Sequence, residues 1–416
     1  MVSLFTEGKL KTLTFGFILW FCATLISTPI GAGLSQAALL MSALLSAAWL
    51  WRNRAQAYAD TRQTVALLLL AAALIMGLSC WHGFKMYMLH APLLLAVCAI
   101  MVGAWSALRI PARALWLGLP AGAIAACCLA LYQLLVEHNT RPNGWHNAIL
   151  FGDIAMALGL MSLAGWVGHM KQATPLKYWL IAGALAGVGA SFLSGSRGGW
   201  MALVFCFVPL YAYTKSWRVV LGGVLAVAVM AGTLYSIPQT RIAERVALIG
   251  SDLAAYAGGN SATSIGARLE MSHAGVQIAL ANPVLGVGNE RFQAEMLALA
   301  KSNKIGSIPI LVGDYKDTHN ELTDAAAKGG VFGLAWVGLL YLAPMLYFLN
   351  ILKGSHAVAR PIALAGLMLV FATIDFGLSV NIFTRHIGKA YYFVFLSLLI
   401  GLCSAALREP EKTSKA

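Results

Sequence analysis

"GDYKDTHNELTDAAAKGGVFGLAWVGLLYL", residues 313–342, crowds acids, lysines and a histidine into its first half and turns wholly apolar from Val331. Continued to Leu349, the apolar part is long enough to cross a hydrocarbon layer, which takes about 20 residues. Thr318, His319, Asn320 and Glu321 form a capping-box pattern, with Thr318 as N-cap and Glu321 at N3, so a helix is predicted to begin at His319. Gly329 and Gly330 predict a bend before the lipid-facing run.

The rest of the chain repeats the apolar theme. Of its 416 residues 59% are hydrophobic and 11% charged, with a mean hydropathy of +0.75. A soluble domain carries about 25% charged residues, so this composition belongs to an all-α polytopic membrane protein. Apolar runs predict twelve spans, near 13–31, 34–51, 63–81, 86–108, 114–136, 148–168, 178–195, 198–214, 218–236, 320–349, 361–381 and 387–407. No cleavable signal pattern precedes the first. The seven cysteines all fall in apolar runs, which reads as packing and argues against a disulfide framework or a zinc site.

The formal charge of +13 would fit nucleic-acid binding, but its placement is topological. The N-terminal segment and six alternating connections hold 16 of the 29 Lys and Arg, which makes that face cytoplasmic, both termini included. The predicted organisation is residues 1–236 as spans one to nine, 237–318 as an outer loop with amphipathic helices, and 319–416 as spans ten to twelve with a cytoplasmic tail.

The unusual polarity gathers on the outer face. Asp153 and Asp375 lie in the outer halves of their spans, where ionisable groups are either functional or helix caps at the interface. "TRPNGWHNAILFGD" (140–153) brings Arg141 to the entry of a span, either as a topogenic loop or facing an anionic lipid headgroup. "SFLSGSRGGWM" (191–201) is so tight that Arg197 stays at the membrane boundary among free backbone N–H groups, an anion nest. It lacks a Walker lysine, which excludes nucleotide binding. Arg268 could pair with Glu270 or face a ligand. A histidine in a first helical turn meets the positive end of the helix dipole, which favours a basic, neutral imidazole. Beside a phosphate-attracting helix start, His319 suits a general base next to a diphosphate leaving group; the plainer reading is a polar helix start in water.

"RLEMSHAGVQIALANPVLGVGNERF" (268–292) followed by "DTHNELTDAAAKGGVFGLAWVGLLY" (317–341) resembles the signature region of the O-antigen ligase family of bacterial inner-membrane glycosyltransferases. "SGSRGGW" resembles the short basic turn before its later spans. Members usually carry an aromatic residue four positions after the arginine matching Arg268, where this chain has Ser272. The resemblance implies a GT-C-like membrane fold opening to the periplasm. It also implies transfer of O-antigen polysaccharide from undecaprenyl diphosphate to lipid A-core at the face of the lipid bilayer. No Asp-x-Asp occurs, and the first outer connection has no acid. Arginines would then replace a metal at the diphosphate, with neither cofactor nor metal required.

On this reading Arg197 and Arg268, with Arg141, hold the diphosphate and His319 takes the acceptor proton with inversion. Tyr87, Lys85 and Asp375 line the chamber. Rival readings are an O-antigen polymerase or a protein O-oligosaccharyltransferase with the same donor, and a lipid-linked sugar transporter or flippase.

Overall fold

The computed structural model describes residues 7–29, 57–306 and 316–409, with positions 33–34, 37–38, 42 and 50 between them. Among these residues the chain forms fourteen α-helices, three short 3-10 turns and no strand. Hydrocarbon offers no water to unpaired backbone groups, so an apolar chain must close its hydrogen bonds within each helix.

The helices are α1 (Glu7–Thr24), α2 (Arg62–Trp81), α3 (His90–Ala107), α4 (Arg113–Leu135), α5 (Ala148–His169), α6 (Leu176–Ser194) and α7 (Ala202–Thr214). There follow α8 (Trp217–Tyr235), α9 (Ile242–Ala257), α10 (Ser264–Ala281), α11 (Gly288–Lys301), α12 (Glu321–Lys353), α13 (Ala359–Gly377) and α14 (His386–Leu407). Nine of those described are long and apolar enough to cross a membrane: α2 to α6, α8 and α12 to α14. The chain is a multi-pass membrane protein.

Twelve spans were expected. The run 34–51 lies outside the described residues but for a few positions. The first run is α1, which packs along α4 but opens with Glu7, Lys9 and Lys11 and ends at Thr24. The eighth is broken by the 3-10 turn Gly198–Trp200, leaving α7 with 13 residues, about 20 Å of helix against about 30 Å of hydrocarbon.

Helices α5 and α14 form the interior, α5 against α6 and α13, α14 against α3 and α13. Gly159 and Gly187 let the α5 and α6 backbones meet, the close approach by which membrane helices gain dispersion energy. By contrast α8 buries only Val220, so its surface faces lipid. One end of the bundle carries the basic connections, tied by Arg408 to Asp60 at 2.7 Å and by Arg360 to the Tyr213 carbonyl.

The opposite end carries α9, α10 and α11. Met271, Ile278, Phe292 and Met296 close a small second core onto Ala327 of α12. Gly330 bends α12 there, with φ +57° and ψ −144°, and so cancels the helical bond between Val331 and Ala327. The turn 283–287 takes both orphaned groups: Val287 N–H donates to the Ala327 carbonyl at 2.9 Å, and Val331 N–H to the Pro283 carbonyl at 2.8 Å. The expected bend is thus a docking point for the segment of α9 to α11.

Candidate active site

The start of α12 departs from the expected capping box. Asn320 is the N-cap, its Oδ1 accepting from the Leu322 and Thr323 N–H groups at 3.0 and 3.1 Å, and the helix starts at Glu321. Thr318 is engaged otherwise: its hydroxyl donates to the Asn320 carbonyl at 2.7 Å and accepts from the Thr323 hydroxyl at 2.8 Å. Nor does Glu321 fold back, since it accepts from the Phe383 N–H at 3.1 Å and so pins the loop before α14.

His319 therefore precedes the helix, in a left-handed conformation with φ +55°. What sets its tautomer is Asp317, whose Oδ1 lies 2.8 Å from Nδ1 and also accepts the His319 backbone N–H at 3.1 Å. A carboxylate at that distance favours the tautomer with the proton on Nδ1 and Nε2 as the basic nitrogen. Burial alone would raise the Asp317 carboxyl. The hydrogen bond from His319 and the charges of His319 and Lys328 outweigh it, holding the group below the ordinary carboxylate range.

The arginines gather on the other side of this segment. Gly195 ends α6 at φ +66°, and a side chain there would strike the Arg245 guanidinium. Two residues on, Arg197 donates from Nη1 to the Arg245 carbonyl at 3.2 Å and has Asp252 at 3.8 Å. Arg245 in turn donates to the Thr140 carbonyl at 3.2 Å, drawing in the loop that holds the exposed Arg141. Arg268 is half-buried beside them. Burial and the repulsion of Arg197 and Arg141 lower its pKa, with Asp153 opposing. The same causes, burial and then Arg141 and Arg197, lower that of Arg245. Neither loses its charge at any working pH.

Behind this group lies the buried carboxylate Asp153, with a second buried acid, Asp375, close enough to feel its charge. Asp153 accepts from the Ser196 hydroxyl at 2.8 Å, and Asp375 lies buried near the end of α13. The Oδ2 oxygen of each has no hydrogen bond among the described residues.

A cavity of about 730 Å3 opens on the His319 side, between α2, α12 and the start of α14. His319 and Tyr87 line it. Lys85 does not: it is held by Glu290 at 2.7 Å, the carboxylate that also accepts from the Tyr87 hydroxyl at 2.9 Å. Asp375 is likewise absent from the lining, buried near the end of α13. Arg141, Arg197 and Arg268 lie outside the lining, but α10 joins the two groups. Ser272, one turn beyond Arg268, donates to the Thr318 carbonyl at 3.4 Å, next to His319. The serine that departs from the usual aromatic position is the residue that makes this link.

Sequence reasoning passed over Arg245, and took Asp317 only as a nearby acid that could oppose the dipole's effect on His319, not as the partner of its ring. Arg245 could have been found from its seven-residue spacing to Asp252, which puts both on one face of α9; Asp317 from its place two residues before the histidine. Among the described residues no three His, Cys, Asp or Glu side chains converge as metal ligands.

The family model described as O-antigen ligase matches residues 182–338, from within α6 to beyond the bend of α12. The matched stretch holds Arg197, Arg268 and His319 and agrees with the resemblance read from the sequence. An uncharacterized protein of Haemophilus influenzae is 24% identical over 281 residues, covering 66% of this chain and 69% of that protein.

Proposed function

From the O-antigen ligase family domain carried by residues 182–338, we propose that this protein is an inner-membrane glycosyltransferase that ligates O-antigen to lipid A-core. The donor is O-antigen polysaccharide on undecaprenyl diphosphate, and transfer takes place on the periplasmic face of a GT-C-like fold with cytoplasmic termini. The spans of 1–236 and 319–416 form the bundle, and 237–318 cap it.

One observation carries this reading. His319, its tautomer set by Asp317, lines a cavity while its neighbour Thr318 is bonded to the helix that brings in Arg268 and the other guanidiniums. A base and a cluster of guanidiniums are thus joined through one hydrogen bond, Ser272 to Thr318, which supports displacement of a diphosphate.

The acceptor hydroxyl gives its proton to Nε2 of His319 as its oxygen attacks the anomeric carbon. The new C–O bond forms as the bond to the phosphate oxygen breaks, with inversion. Undecaprenyl diphosphate leaves with the bond's electron pair, and Arg197, Arg268 and Arg141 stabilise that charge through planar, bidentate contacts without a metal.

Purified protein given lipid-linked O-antigen and lipid A-core should form a glycosidic product in the presence of a chelator. His319→Ala and Arg268→Ala should lose it at normal expression. An active His319→Ala protein overturns the base assignment, and no product from the wild type favours a transporter. In cells, a ligase null leaves lipid A-core bare while lipid-linked chains accumulate, whereas a polymerase null leaves core carrying one repeat.

A further inference from the structure

The cavity beside His319 holds a cation that the mechanism above leaves unused. Lys389, in the first turn of α14, is only 8% exposed and lines the cavity. Its ammonium makes no hydrogen bond or ion pair among the described residues. Each acid of the cavity wall is committed elsewhere. Asp324 pairs with Lys328 at 2.9 Å. Asp317 holds His319 and has Arg385 at 3.7 Å. Glu290 is taken by Lys85 and Tyr87. Glu321 stands nearest in charge to Lys389, but its carboxylate binds the Phe383 backbone instead.

A mostly buried lysine whose ammonium opens to a cavity, with no carboxylate in contact among the described residues and only the more distant charge of Glu321 to offset it, is costly, and such a group inside a membrane protein marks a ligand path. The open N–H groups at the start of the 22-residue α14 add positive potential to the same wall. What Lys389 lacks, among the described residues, is an anion in contact with it.

We infer that Lys389 binds an acidic substituent, phosphate or carboxylate, carried by the acceptor glycan close to the hydroxyl that attacks. The inference rests on the proposed transfer. The arginines assigned to the donor diphosphate lie outside this cavity, whereas His319, which meets the acceptor, lines it. At about 730 Å3 the space is of the size that takes a small oligosaccharide.

The test compares wild type, Lys389→Gln and Lys389→Arg, with three probes: untreated lipid A-core, lipid A-core dephosphorylated with hydrofluoric acid, and lipid A-core with its carboxyls reduced. Lys389→Gln should raise the acceptor KM about tenfold or more, the value of one charge-assisted contact, while kcat and the donor KM hold. Lys389→Arg should restore part of the loss. Wild type should lose a similar factor on one modified probe, phosphate or carboxyl according to the group bound, and Lys389→Gln should be indifferent to that same modification. A raised donor KM with unchanged acceptor KM would assign Lys389 to the diphosphate and overturn the proposal. So would a Lys389→Gln protein as sensitive to both modifications as wild type. Direct binding of the three probes, measured without donor, reads the same pattern without turnover, so a failure of the transferase reading is distinguishable from a failure of this one.

Discussion

Gly330→Ala tests the joint between the segment of α9 to α11 and the bundle. At φ +57° and ψ −144° the backbone lies in a region that L residues avoid, a cost of about 1–3 kcal/mol. The added methyl would meet the Val284 carbonyl and the Leu285 nitrogen, so the turn 283–287 must withdraw. That separates Val287 from Ala327 and Val331 from Pro283, and each buried backbone group left unpaired costs about 1–3 kcal/mol. Straightening α12 would re-form the helical bond but swing its first turns, with Asp317 and His319 ahead of them, away from the cap. Either route costs roughly 3–6 kcal/mol, a large share of the 5–15 typical of folded proteins. The chain supplies its own controls. Gly329→Ala meets only the flexible Leu78 side chain at 3.1 Å, and Gly338→Ala meets nothing within 4 Å. Thermal unfolding in detergent, proteolysis of the 283–287 turn and transfer activity should rank the variants with Gly330→Ala far the worst. If it matches Gly338→Ala in all three, the docking argument is wrong.

Asp317→Asn removes the carboxylate that fixes the His319 tautomer. Its kcat should fall by about 10²- to 10⁴-fold with a small change in KM, and an unchanged kcat would free His319 from Asp317. Because the folded carboxyl is held below its ordinary range, its contribution to stability is complete above about pH 4 and fades only as pH falls through the folded value. Unfolding measured from pH 5 to 8 should show no loss traceable to this group. Gly195→Ala forces a side chain into left-handed backbone, at roughly 1–2 kcal/mol, and against Arg245. Donor KM should rise, and Arg245→Ala added on top should cost much less than it does alone; full additivity would separate the two residues.

How much of this was open to reading from the sequence varies with the interaction's reach. The helices follow from apolar runs, and the bend at Gly329 and Gly330 from composition, because both are local. The cap of α12 differs from the expected one because Thr318 and Asn320, two residues apart, are both good caps. The choice is made by the Thr323 hydroxyl and by Phe383, whose N–H draws Glu321 away. A pattern over four residues contains no trace of a partner some sixty residues later. Of the chamber residues, Tyr87 lines the cavity with His319, while Lys85 is taken by Glu290, a partner on another helix that only the tertiary fold supplies. Arg245 reads in sequence as an ordinary surface arginine on an amphipathic helix, and its importance comes from the carbonyls it reaches and the glycine it lies against.

The grouped guanidiniums have a consequence for how the protein meets salt. Arg141, Arg197, Arg245 and Arg268 repel one another, offset in part by Asp252 at 3.8 Å from Arg197 and by the charges of Asp153 and Glu244. Added electrolyte, with a screening length of about 8 Å at physiological strength, eases that repulsion in the empty protein. On the proposed function, the same ions weaken the attraction that draws the anionic donor in. Ionic strength thus acts with opposite sign on the two states, steadying this end of the molecule while it is vacant and loosening its hold once a substrate arrives.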